Sequence, residues 1–186
     1  ISFEDEYRAA AEAFALADMP WVGTMSFDTS GRTMMGTTAP DMVKLLLKIT
    51  NKPIAFGANC GVGASDLLRT VLGFSATETQ LPIVAKGNAG IPKYHNGRIN
   101  YDGTPELMAD YATLARDCGA KIIGGCCGTT PNHLRAMRTA LEKRAPQERP
   151  SLEKIKKTLG GFSSESDGTD DNVPTRKRQN KRRRTT

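Results

Sequence analysis

Two adjacent cysteines, Cys126 and Cys127, end the strand-like part of Lys121-Ile122-Ile123-Gly124-Gly125-Cys126-Cys127-Gly128-Thr129-Thr130-Pro131. A third, Cys60, ends a similar segment, Ile54-Ala55-Phe56-Gly57-Ala58-Asn59-Cys60-Gly61. Thiolates are soft ligands, and three of them suit a zinc ion held tetrahedrally with its fourth position open. An open position marks a catalytic rather than a structural site. A substrate thiol entering it would lose its proton, because zinc stabilises thiolate far more than thiol. Zinc with three thiolates is formally anionic, so the incoming sulfur would stay electron-rich. That favours attack on a methyl group over activation of water. Gly124, Gly125 and Gly128 would let the backbone crowd around the ion. The bland reading is that these thiols pack as small hydrophobes. Their shared position at strand ends strengthens the case for a metal without displacing that reading.

The elements that must position them can be read in order. Ser2 is expected to cap a helix, with Asp5 closing a capping box. From Glu4 to Asp18 the chain sets Tyr7, Ala10, Ala11, Phe14 and Leu16 on one helical pattern. Trp21 to Phe27 reads as a strand, Asp28 to Thr38 as a polar loop, and Pro40 opens a helix to about Thr50. Pro53 to Gly57 is a strand, Cys60 to Gly63 its exit loop, and Ala64 to Leu72 a helix. Pro82 to Lys86 is a third strand, and a long exit loop runs from Gly87 to Gly103. Thr104-Pro105 starts a helix to about Cys118, closed by Gly119. The strand Lys121 to Gly124 follows, then a helix capped by Thr130, with Pro131 in its first turn, to about Arg144.

Short apolar strands alternating with helices mean parallel pairing buried on both faces. The fold class is therefore α/β, and about four βα units are half of a (β/α)8 TIM barrel. Barrel chemistry sits at the carboxyl ends of the strands, where Cys60, Cys126 and Cys127 all fall. Residues 1–145 are expected to form this second half of a barrel. Residues 146–186 are expected to add a short helix to about Leu159 and then, from Gly160, a disordered basic tail.

The 186 residues have room for one domain whose core needs no disulfides. No apolar run is long enough for a membrane span, and no leader resembles a signal peptide. Four cysteines in such a chain point to reduced thiols in the cytoplasm. Ile1 is not an initiator methionine, so a fragment or processed product is expected. Of 26 basic residues, seven lie from Arg176 onward with no acidic residue among them; the remaining 19 face 20 acidic ones. The body is thus near neutral and shows no basic stripe for nucleic acid. The tail alone could touch nucleic acid or an anionic membrane, with solvated disorder the default.

Other residues have weaker claims. Asn59, next to a ligand, could orient substrate or simply form a turn. Cys118 reads as a packed thiol, His133 as a surface histidine near a helix cap, and His95 as a solvated loop residue. Asp28 and Arg32 could line the mouth of the site or pair across a turn. The glycine-rich loops at 87–90 and 124–128 leave a phosphate-binding barrel enzyme as an alternative.

Taken together, Ile123 to Pro131 resembles the closing signature of the zinc-dependent homocysteine S-methyltransferase family, and Gly57-Ala58-Asn59-Cys60 is similar to that family's other zinc motif. Thr24-Met25-Ser26-Phe27-Asp28 and Gly31-Arg32-Thr33-Met34-Met35-Gly36 resemble its bacterial betaine–homocysteine and methionine synthase members. The resemblance covers residues 1 to 144 and only the second half of the family's barrel. It implies zinc on Cys60, Cys126 and Cys127, homocysteine as methyl acceptor and methionine as product. It also implies a small donor, a betaine-like onium compound being favoured because no cobalamin-binding segment follows. The alternatives are a truncated, non-catalytic zinc-binding or interaction module, and the homocysteine-binding part of a cobalamin-dependent methionine synthase.

Overall fold

The structure, a computed structural model, describes residues 1–166 apart from 29, 78 and 96. Its elements in chain order are α1 (Glu4–Leu16), β1 (Val22–Met25), α2 (Ala39–Lys48), β2 (Ala55–Cys60), α3 (Ala64–Ser75) and β3 (Ile83–Gly87). There follow β4 (Pro92–His95), β5 (Arg98–Tyr101), α4 (Pro105–Asp117), β6 (Ala120–Gly125), α5 (Pro131–Lys143) and α6 (Leu152–Leu159). Four strands form a parallel sheet in the order β1-β2-β3-β6, as the alternation of strand and helix requires. No described helix is long and apolar enough to cross a membrane.

Strand spacing is enforced where β2 meets β3. A Cβ on Gly57 would lie 1.9 Å from the Val84 carbonyl oxygen, so only glycine lets the two backbones pair there. The register then does the positioning. Cys60 lies opposite Gly87, and Gly87 lies opposite Gly125, so Cys126 follows directly on a residue level with Cys60. Behind the sheet, α3 turns Leu67, Leu68, Val71 and Phe74 inward. Phe74 meets Phe56 and Phe27 edge-on at 5.1 and 5.6 Å, which ties the sheet to the helix layer.

Helix starts follow the chemistry of their first turns. Thr38 and Asp41 form a reciprocal capping box at α2, the Thr38 hydroxyl accepting the Asp41 N–H at 3.2 Å. Thr104 caps α4 through the Leu107 N–H at 3.2 Å, and Gly119 closes that helix at φ 107°. The capping box expected from Ser2 and Asp5 does not form. Phe3 occupies the N-cap position of α1, without a side-chain hydrogen bond, which leaves Ser2 one residue too early.

The structure changes two further expectations. The exit loop from Gly87 to Gly103 contains an antiparallel hairpin, β4 with β5, in which His95 pairs with Arg98. The two-residue connection ends in Gly97 at φ 76°, a conformation that glycine adopts freely. The segment from Gly160, expected to be disordered, packs against α3 as far as Ser164. Phe162 lies 4.6 Å beneath the Arg69 guanidinium, the Asp66 carboxylate accepts the Ser163 N–H and hydroxyl, and Arg69 donates to the Ser164 carbonyl at 2.8 Å. A buried Asp66–Arg69 pair at 2.9 Å is thus the anchor, a feature of α3 that the composition of the tail does not reveal. The expected basic tail beyond residue 166 lies outside the described residues, as does the side chain of His95.

Candidate metal centre

Cys60 ends β2 in the left-handed region, at φ 60°, which is uncommon for a residue with a side chain. Cys126 and Cys127 begin the turn after β6. Their loop is stitched to the exit of β3: the Cys126 N–H donates to the Gly87 carbonyl at 2.8 Å, and the Ala89 N–H donates to the Cys127 carbonyl at 2.9 Å. Both loops are then joined by one side chain. Asn88, 2% exposed, donates to the Gly61 carbonyl at 2.9 Å and accepts the Cys127 N–H at 3.1 Å.

The result brings three sulfurs together. Cys60 and Cys127 lie 3.7 Å apart, Cys126 and Cys127 3.9 Å apart, and all three within 4.8 Å of one another. A tetrahedral ion with zinc–sulfur bonds of about 2.3 Å sets its sulfurs roughly 3.8 Å apart, so the cluster fits a single ion. Among the described residues no other group of three His, Cys, Asp or Glu side chains converges in this way.

The thiols are not equivalent. Burial pushes the Cys60 thiol above its usual range, whereas hydrogen bonds from Cys60 and then Tyr101 favour the Cys127 thiolate. Proton sharing between neighbouring sulfurs of this kind is what a cation would replace. All four cysteines are free thiols. The fourth, Cys118, is 1% exposed, and burial raises it to about 12; it is the packed thiol that the sequence suggests.

The remaining candidates resolve individually. Asn59 donates to the Ser26 hydroxyl at 3.4 Å, linking the ends of β2 and β1 beside the sulfurs. His133 is not on the surface. It is 8% exposed, and its Nδ1 accepts the Thr130 N–H at 3.0 Å, so Nε2 carries the proton donated to the Gly103 carbonyl at 2.9 Å. It therefore caps α5 and pins the base of the hairpin. Arg32 donates to the Gly36 carbonyl at 3.5 Å within its own loop. Two residues were not distinguished by sequence. Asn88 stood inside a glycine-rich loop with no partner in view, and Tyr101 lay in what read as featureless connection.

The structure is thus a parallel α/β sheet with three thiols gathered around one point at the carboxyl strand ends, where a metal ion could be held. The family follows from comparison: residues 1–141 match the homocysteine S-methyltransferase model, and the chain belongs to that family. It is similar to the crystal structures of the homocysteine methyltransferase MmuM from Escherichia coli. The apo form gives 26% identity and a TM-score of 0.59, covering 75% of this chain and 47% of that one. The oxidised form gives 27% identity and a TM-score of 0.58, covering 75% of this chain and 42% of that one. The chain thus spans about half the length of the structures it matches.

Proposed function

We propose that the chain provides the thiol-activating half of a homocysteine methyltransferase barrel, with Cys60, Cys126 and Cys127 holding one zinc ion. The observation that carries this reading is the sulfur triangle, whose 3.7 and 3.9 Å edges suit one tetrahedral ion. When bound, zinc supplies an open coordination position that lowers the pKa of an entering thiol. The residues of the chain do the rest. Asn88 and the backbone bonds from Cys126 and Ala89 fix the two cysteine loops relative to each other, so Cys60, Cys126 and Cys127 would be held in place to bind the ion. The three thiolates repel further anionic charge and leave the acceptor sulfur electron-rich. In the transfer itself, that sulfur forms a bond to the donor's methyl carbon as the carbon–onium bond breaks. The bonding pair leaves with the donor, and the thiol proton passes to solvent. An onium donor suits this direction because its departure relieves a positive charge; betaine-like compounds and S-methylmethionine are of this class.

Metal analysis of the purified chain tests the site. About one zinc per chain is expected, falling to near zero in Cys126→Ser, since two thiolates no longer make a tight site. Methionine formation from homocysteine and an onium donor should be lost in the same variant. Unchanged zinc content in Cys126→Ser would reject the assignment.

A further inference from the structure

The hairpin β4–β5 projects from the carboxyl face, and most of it faces solvent; Tyr94 and Ile99 are 79% and 62% exposed. Its last residue behaves differently. Gly128, directly after the cysteine pair, has φ 77°, and a Cβ there would lie 2.4 Å from Tyr101 Cγ and 2.8 Å from Cδ2. The root of the Tyr101 ring therefore rests on the backbone of Gly128. That seats the ring beside Cys127, whose carbonyl carbon is bonded to the Gly128 nitrogen. Tyr101 itself is held from below. The Ile91 N–H donates to the Asp102 carboxylate at 3.3 Å, Lys93 pairs with that carboxylate at 2.5 Å, and the Gly103 N–H donates to the Ala89 carbonyl at 2.9 Å. His133 grips the Gly103 carbonyl from α5. Four separate contacts thus hold one otherwise exposed hairpin where its final side chain lies on the residue that follows Cys127.

We infer that Tyr101 is a positioning residue for Cys127, holding its loop through Gly128 and shielding the bound metal from exchange. The inference rests on zinc occupying the three cysteines. Partners of ligands commonly change metal affinity about 10- to 100-fold when removed. An exposed hairpin has no packing reason to seat an aromatic ring against a glycine in the left-handed region, and cover for the adjacent ligand supplies one.

The test is zinc release from the full chain into excess chelator, followed with a chromogenic zinc indicator, in Tyr101→Ala, Tyr101→Phe and Tyr94→Ala. Release from Tyr101→Ala should be about 10- to 100-fold faster. Tyr101→Phe, which keeps the ring on Gly128, should match the unaltered chain. Tyr94→Ala, on the same hairpin but away from the sulfurs, should match the unaltered chain. With cobalt in place of zinc, the thiolate-to-metal absorption should shift in Tyr101→Ala but not in Tyr94→Ala. Release from Tyr101→Ala at the unaltered rate would overturn the inference, as would equal acceleration in Tyr94→Ala. Failure of the unaltered chain to hold zinc would instead overturn the underlying site.

Discussion

At the scale of single residues, the cysteines announce themselves and their organiser does not. Three thiols at two strand ends are visible as a pattern because cysteine chemistry is specific. Asn88 is a common residue in a glycine-rich loop, and its importance comes from what it joins, namely the Gly61 carbonyl and the Cys127 N–H. Asn88→Ala removes both hydrogen bonds, at a cost of about 1–3 kcal/mol in stability for the two together. Zinc affinity should also fall by about 10- to 100-fold, since the two ligand loops lose their bridge. Urea unfolding and chelator competition measure the two effects separately. A variant that loses stability but binds zinc as before would show that Asn88 supports the fold and not the ligands. His133 carries the same lesson: sequence places it near a cap, but only the fold shows it buried, with both ring nitrogens engaged.

At the scale of elements, strand and helix alternation was legible because each strand of the parallel sheet is a short, largely apolar run and three of the six described helices begin with a Thr cap and a Pro. Thr38, Thr104 and Thr130 all sit at helix starts. The hairpin was less legible: its strands are polar and exposed, so the alternation that marks a half-buried strand is absent, although Asn-Gly at 96–97 is a turn signal. The anchoring of residues 160–164 was hidden for a different reason. Low apolar content argues against a core but says nothing about a buried charged pair that packs on Phe162. Asp66 and Arg69 have side chains only 9% and 6% exposed. Asp66→Ala strands the guanidinium in that setting and is expected to cost about 3–5 kcal/mol. The double variant Asp66→Ala with Arg69→Met removes both charges and should recover most of the loss, as measured by chemical unfolding. A double variant as unstable as the single one would locate the stabilisation in the contacts of Ser163 and Phe162 rather than in the pair.

At the scale of the molecule, the parallel order β1-β2-β3-β6 turns three distant parts of the sequence into one surface. Cys60, Asn88 and Cys127 are far apart in the chain, yet each is the last residue of a strand or lies within two residues beyond one. This convergence was legible in outline, because parallel strands present all their exits at one end. Register was not: it takes the pairing of Cys60 with Gly87 and of Gly87 with Gly125 to set the sulfurs level. The most direct test of the account is zinc-edge X-ray absorption on the purified chain. Three sulfur scatterers at about 2.3 Å are expected, and loss of the zinc signal itself in each of Cys60→Ser, Cys126→Ser and Cys127→Ser. A zinc shell of oxygen and nitrogen alone, or a sulfur count that Cys60→Ser leaves unchanged, would contradict it.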